Sequence, residues 1–328
     1  MAVVDFSALS AYVDQISSKL IKKALLTDRT IQTGITVQTG IKGTEAINIL
    51  TGSIIGQNTD CGLSPTGSVA ITQRNITVCP ITVYEDVCAS KFDAYWTQIL
   101  NPAGSYYEKN PVEQIYVDQK VNAITKLSGS LLWRGDTSGR QYSGATSATT
   151  GNITLCNGVL NILQYQSGSA SVLTSTYSGT AMTTANALTI IQSLISTALV
   201  SAPDILVEEG KNIYMSYAKF DLVRQALFAG NYYHYAADAN QGGEWMIKNF
   251  LGTGFDLIST EGLNTTNRIV LTYAKNIILG VDLENDQEQF EVFYDRYRDL
   301  VLFRAKWKQG AQVAFPTQVV IYYDSYGS

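Results

Sequence analysis

Charge is scarce in this chain of 328 residues: Asp, Glu, Lys and Arg together make up 16%, against 45% hydrophobic residues. So small a charged fraction is poorly suited to keeping a whole surface in water, and it predicts that part of the surface meets other chains. The basic residues are outnumbered, for a net charge of -5, and they do not gather as a duplex-gripping protein requires. The densest basic stretch, Arg304, Lys306 and Lys308, alternates with Ala305 and Trp307 and reads as the polar face of a strand. Histidine occurs once, at His234, and the four cysteines Cys61, Cys79, Cys88 and Cys156 have no CxxC spacing. A Cys/His zinc set is thereby excluded, and the cysteines read as four buried or idle thiols in a chain long enough to fold without disulfides. Met1 to Phe6 lacks the basic start and apolar run of a secretory signal, and nowhere do about 18 apolar residues run together. The expectation is a soluble protein of a reducing cytoplasm, with no membrane partner.

Near the N-terminus, Phe6, Leu9, Val13, Ile16 and Leu20 recur at spacings of three and four behind Ser7 as N-cap, which predicts an amphipathic helix. No adjacent segment is built to cover its stripe, so it reads as an arm that packs elsewhere. Ala46 to Leu50 and the β-branched run Ser68 to Tyr84 flank a Gly, Ser and Asn-rich stretch, which predicts a projecting hairpin. An isolated two-stranded ribbon is marginal in water. A long helix is predicted from Pro111 to Trp133, striped by Val117, Val121, Ile124, Leu127 and Leu131, with Gly135 placed to give a left-handed C-cap.

Residues Arg140 to Thr184 read mostly as loops, with a short strand at Val159 to Leu163. Beyond them the periodicity predicts helices at Thr183 to Leu199, Lys219 to Phe228 and Trp245 to Leu251, and strands at Asn212 to Tyr217, Phe255 to Ile258, Arg268 to Tyr273 and Asn276 to Val281. Tyr232, Tyr233, His234 and Tyr235 form an aromatic loop. The ending alternates strongly: Gln289 to Asp295, then Asp299 to Lys308 and Ala311 to Phe315 joined by a tight turn at Gln309-Gly310.

No constellation of catalytic residues stands out. A serine hydrolase would depend on His234, and no G-x-S-x-G elbow is present. Glu208-Glu209 and Asp282-Leu283-Glu284 read as solvated turn acids, not as a glycosidase pair or a cation site. Gly252-Thr253-Gly254 lacks the Lys of a phosphate-binding loop. Arg134-Gly135-Asp136 matches an adhesion tripeptide, but a helix exit already accounts for it.

The order of arm, long hairpin, long helix, α/β middle and terminal strands resembles the major capsid proteins of tailed bacteriophages with the Hong Kong 97-like fold. Leu131-Leu132-Trp133-Arg134-Gly135-Asp136-Thr137-Ser138-Gly139 is similar to the exit of that family's spine helix. Ile277 to Asp282, Gln289 to Tyr294, and Leu300 to Trp307 with Ala311 to Phe315 are similar to its closing block. The resemblance implies an α+β fold with residues 1–43 as N-terminal arm and 44–86 as extended loop. It makes 87–150 and 283–328 a peripheral domain carrying the spine helix, and 151–282 an axial α/β domain.

It also implies a non-enzymatic shell protein that assembles as pentamers and hexamers of itself in the host cytoplasm and ends in the virion, without cofactor. Portal, separate scaffolding or decoration proteins would be partners, and packaged double-stranded DNA would be touched non-specifically. Inter-subunit contacts are expected from Ile47, Ile49, Leu50, Ile54, Ile55, Val69, Ile71 and Ile76 on the extended loop and from the apolar stripe of the arm. The aromatic loop 232–235 is expected near the symmetry axes. A tail or receptor-binding component, an encapsulin-like nanocompartment shell and an enzyme of another type stay open at this point.

Overall fold

The computed structural model describes residues 25–55, 67–88, 112–139, 152–165, 171–231, 245–282, 289–295, 297–298 and 300–324. The arm residues Phe6, Leu9, Val13, Ile16 and Leu20 and the aromatic run Tyr232, Tyr233, His234 and Tyr235 lie outside them, as do Cys61, Leu283 and Glu284. The helices are α1 (Arg29–Gln32), α2 (Val112–Arg134), α3 (Val159–Tyr165), α4 (Ala187–Ser201) and α5 (Tyr217–Ala229). The first seven strands are β1 (Thr36–Gln38), β2 (Thr44–Ile54), β3 (Gly67–Thr77), β4 (Cys79–Cys88), β5 (Leu173–Thr174), β6 (Lys211–Met215) and β7 (Met246–Ile247). The rest are β8 (Asp256–Ser259), β9 (Arg268–Tyr273), β10 (Ile277–Val281), β11 (Gln289–Asp295), β12 (Leu300–Val313) and β13 (Val320–Tyr323).

Strand β12 organises one sheet. The alternation of Val301, Phe303, Ala305 and Trp307 puts all four on a buried face, under the stripe of α2 formed by Val117, Val121, Ile124 and Leu131. Arg304, Lys306 and Lys308 take the alternate positions, as their spacing predicts. From Leu300 to Gln309 the strand pairs with β4, its stretch Leu300 to Lys306 also pairs with β11, and Gln309 to Val313 pairs with β10. The turn expected at Gln309-Gly310 does not form, and β12 runs through as one strand of 14 residues. The buried Gln309 side chain accepts from the Ser128 hydroxyl of α2 at 2.9 Å, and its Nε2 donates to the Ser128 carbonyl at 2.9 Å. A Cβ on Gly310 would lie 2.2 Å from the Thr77 carbonyl oxygen, so the glycine serves a close approach of two backbones. Gly310→Ala should accordingly lower stability by about 1–3 kcal/mol in denaturant unfolding. A change within about 0.5 kcal/mol would fit an exposed turn instead.

The second sheet has the order β5-β13-β9-β6-β8-β7. Its central strands are buried on both faces, and the alternation sorts their side chains. Ile213, Met215, Leu257, Leu271, Val320 and Tyr322 face the apolar stripes of α4 and α5. Tyr214, Ile258, Val270 and Ile321 face the other way, toward Trp133 at the end of α2 and Leu160 and Leu163 of α3. Burial on two sides explains why β9, RIVLTY, reads as a continuous run without polar alternation.

Two of the chain's three crossings between these sheets are β9 to β10 and β12 to β13. Both crossings meet at the buried Asn276, whose Nδ2 donates to Thr272 Oγ1 at 2.9 Å and to the Phe315 carbonyl at 3.0 Å. Its Oδ1 accepts from the Phe315 amide at 2.7 Å. The division expected at residues 282/283 therefore does not separate the two sheets: β10 lies in the sheet of β12, and β13 pairs with β9.

Several local expectations are corrected. Val159 to Leu163 is helical, not a strand: all five residues, Asn161 among them, are buried, and so short a buried run does not reveal its period. Trp245 to Leu251 holds the short strand β7 and a tight turn in which Asn249 and Leu251 have φ of 47° and 46°. Asp256 Oδ1 accepts from the Asn249 amide there at 2.8 Å, and that competing bond takes the place of a helical one. Gly135 has no left-handed backbone; it is required because a Cβ would lie 2.3 Å from the Cys156 carbonyl. Cys79 and Cys156 are not idle thiols but a disulfide, joining positions 77 residues apart that the fold brings to a Cα separation of 5.7 Å.

Candidate assembly surfaces

Among the described residues β2 and β3 pair with each other and with no other strand, in register from Thr44↔Thr77 to Ile54↔Gly67. Opposed residues of an antiparallel pair share a face, and successive residues alternate faces. One face therefore carries Leu50 opposite Ile71 and Gly52 opposite Val69. Leu50 is 68% exposed, Ile71 69%, Val69 73%, and Ile55 just beyond the strand 56%. Leu50, Val69 and Ile71 make an apolar patch on the part of the ribbon farther from its root, with nothing among the described residues over it.

The opposite face anchors the root. Ile76 is fully buried with Ile41, Val78 and Ile278, and Ile47 packs half-buried on the same cluster. Ile49 is buried beside a cleft of about 540 Å³ that Thr72, Arg74, Gln312, Phe315 and Pro316 help to line. Arg74 donates to Gln312 Oε1 at 3.4 Å and Gln312 Nε2 donates to the Asn75 carbonyl at 2.6 Å, which ties the ribbon to the body. Burial pushes the Arg74 guanidinium below its ordinary value. The eight residues expected to reach a neighbour thus divide: Ile47, Ile49 and Ile76 pack on their own chain, while Leu50, Ile55, Val69 and Ile71 face outward. For Ile54 the backbone alone is described, paired with Gly67. Sequence reasoning missed the division because it needs the cross-strand register, which residue types do not fix.

A second built place is the segment from Leu25 to Gln32. Leu25 is fully buried in the core under α2. Asp28 caps α1, accepting from the Thr30 amide at 2.9 Å, and presses on Gly129 of α2, where a Cβ would lie 2.6 Å from its Oδ1. The Thr30 hydroxyl lies 2.9 Å from that of Thr260 and accepts from Trp133 Nε1 at 2.9 Å. Arg29 stacks over Tyr217 at 5.2 Å and Trp245 at 5.8 Å. Burial pushes the Asp28 carboxyl above its ordinary value of 3.8, against the lowering effect of the Thr30 hydrogen bonds. With the folded value raised, its contribution to stability is full below the unfolded value and is lost as pH rises through the folded one. Asp28→Asn keeps an acceptor for the cap. It should melt higher than the wild type at pH 7 and lose that advantage as the pH falls toward 4; an equal advantage at both pH values would contradict the burial cause.

A third surface lies where α4 ends and leads into β6. Val200 is 83% and Val207 86% exposed, beside the partly exposed Leu199 and Leu206. Because α5 returns along β6, its C-terminal end lies at this same end of the sheet, with Phe228 exposed.

Of the acidic positions set aside in the sequence, Asp282 and Asp136 have structural partners. Asp282 is buried, not solvated, and pairs with Lys308 at 3.3 Å. Glu208 and Glu209 are exposed turn residues before Gly210, whose φ is +69°. Asp136 is buried and accepts from the Ser138 amide at 2.8 Å, which closes the exit of α2. Among the described residues no group of three or more His, Cys, Asp and Glu is placed to hold a metal. No described helix is long and apolar enough to cross a membrane.

No protein-family model matches the sequence, and a search of curated proteins finds no match. Solved structures do match. A chain of the satellite phage P4 procapsid including size determination (Sid) protein aligns with TM-score 0.58 at 10% identity, over 94% of this chain and 99% of that one. The capsid of Myoviridae phage XM1 aligns with TM-score 0.54 at 13% identity, over 89% and 90%. The virus-like particle from Pyrococcus furiosus aligns with TM-score 0.52 at 9% identity, over 94% and 98%. The shared architecture spans nearly the whole length of each of these chains. The fold is the Hong Kong 97-like capsid fold, α+β in class, as the resemblance implied.

Proposed function

We propose that the chain is the major capsid protein of a tailed bacteriophage, assembling as pentamers and hexamers into an icosahedral shell around double-stranded DNA. The observation that carries this reading is the outward apolar face of the ribbon, on a fold otherwise found in capsids. Burying Leu50, Val69 and Ile71 on a neighbour contributes about 1.5–3 kcal/mol each, before ordering costs are subtracted. Many such contacts, each weak enough to reverse, close a shell without trapping errors. The arm would add a further contact from its own root, and the end of α4 with residues 232–235 would meet its equivalents around the five- and six-fold axes. Its role is structural, and no catalytic residue is assigned. Portal, scaffolding and decoration proteins are its partners in this reading, the host cytoplasm its place of assembly and the virion its destination. A net charge of -5 suits a wall that touches packaged DNA without gripping it.

The likeness to a virus-like particle favours a second reading, a closed container without a genome. Sedimentation and negative-stain microscopy of the purified protein test the shell itself: hollow icosahedral particles are expected, and tubes, spikes or dispersed small oligomers would refute it. Nuclease-resistant DNA in particles from the native source separates the capsid from the genome-free container.

A further inference from the structure

The disulfide joins the root of the ribbon to the turn packed on the exit of the long helix. Cys79 opens β4, two residues beyond the last ribbon pair at Thr77. Cys156 lies in the turn that carries the chain into α3, its carbonyl against Gly135 at the exit of the long helix. Noncovalent contacts also hold the root, since the Thr77 backbone abuts Gly310 and the Val78 amide donates to the Gly43 carbonyl at 2.9 Å. The root can therefore form before the bond does. Cys79 is half-buried and Cys156 buried, so Cys79 is the more open residue of the two.

We infer that Cys79 and Cys156 form a redox latch on the ribbon: open as two thiols while chains assemble, and closed afterwards to fix the direction of the ribbon and harden the shell. The chemistry is thiol–disulfide exchange with a low-molecular-weight disulfide such as oxidised glutathione. The Cys79 thiolate attacks one sulfur of the reagent and releases the first small thiol. The Cys156 thiolate then attacks the Cys79 sulfur of the mixed disulfide and releases the second. Two electrons pass from the protein thiols to the reagent, and their two protons end on the released thiols. Closure stabilises because it removes freedom from a loop spanning 77 residues, which includes β4 and the whole of α2. The hardening role rests on the shell reading, whereas the bond can be read in the isolated chain.

Wild-type protein and the Cys79→Ser/Cys156→Ser variant are each treated with oxidised glutathione or dithiothreitol, digested without reduction for mass spectrometry, and melted. A linked Cys79–Cys156 peptide is expected in the oxidised wild type alone, with a melting midpoint on the order of 5–10 °C above that of the reduced form. The variant should assemble in normal yield with a midpoint indifferent to redox state. Absence of the linked peptide overturns the latch, and so does an equal redox shift in the variant. Reduced wild-type chains that cannot assemble overturn the order of events. Failure of all chains to assemble in either state would count against the shell reading instead, while the linked peptide and the midpoint of the dispersed chain still decide the bond.

Discussion

Exchanging Leu50→Lys together with Ile71→Glu should leave a folded, soluble chain that no longer forms shells. The two residues are directly opposed across the ribbon and both point away from the body. Opposite charges placed face to face across an antiparallel pair support it by roughly 0.2–1 kcal/mol, so the ribbon itself stays paired. Neither side chain packs in the core, and surface substitutions of this kind usually change stability by less than about 0.5 kcal/mol. The neighbour, however, would have to cover a lysine and a glutamate where it met two apolar side chains, at a desolvation cost repeated in every subunit. Circular dichroism and denaturant unfolding should match the wild type, and sedimentation should find no particles. Normal shells from this variant would remove the ribbon face from the assembly contacts.

The second large effect is expected at Trp133. Its side chain is fully buried, its ring lies 5.0 Å from that of Tyr214, and Gly262 is packed so tightly on it that a Cβ would lie 2.3 Å from Cδ1. Its indole N–H donates to Thr30, and so joins the end of the long helix to α1. Trp133→Ala removes the largest piece of that junction and should cost about 3–5 kcal/mol in guanidinium unfolding. Trp133→Phe, which keeps most of the volume and loses the hydrogen bond, should cost about 1–2 kcal/mol, because Thr30 retains Thr260. Equal costs for the two variants would mean that the hydrogen bond, not the packing, holds the junction.

The elements that could be read from the sequence are those whose burial is one-sided. Val117, Val121, Ile124 and Leu131 face a sheet on one side of a long helix and leave a clean stripe. The alternation from Val301 to Trp307 survives for the same reason. Reading failed where burial is all round, as at Val159 to Leu163, or where a glycine has a different use from the one its neighbours suggest. Gly310 next to Gln309 looks like a turn, yet what demands glycine there is the backbone of Thr77, more than 200 residues away in the sequence. The disulfide was hidden likewise, since its partners share neither spacing nor motif and meet only after the ribbon root and the helix exit are in place. For the assembly surface, the sequence marks the ribbon and its apolar residues. Which of them anchor the root and which face outward depends on a register that only the paired strands define.

An electron cryomicroscopy reconstruction of the purified protein tests most directly whether this chain completes itself on sister copies. The account predicts a closed icosahedral particle in which Leu50, Val69 and Ile71 of each subunit lie buried against the next. Dispersed monomers, with the ribbon laid back over its own body and that face already covered, would contradict it.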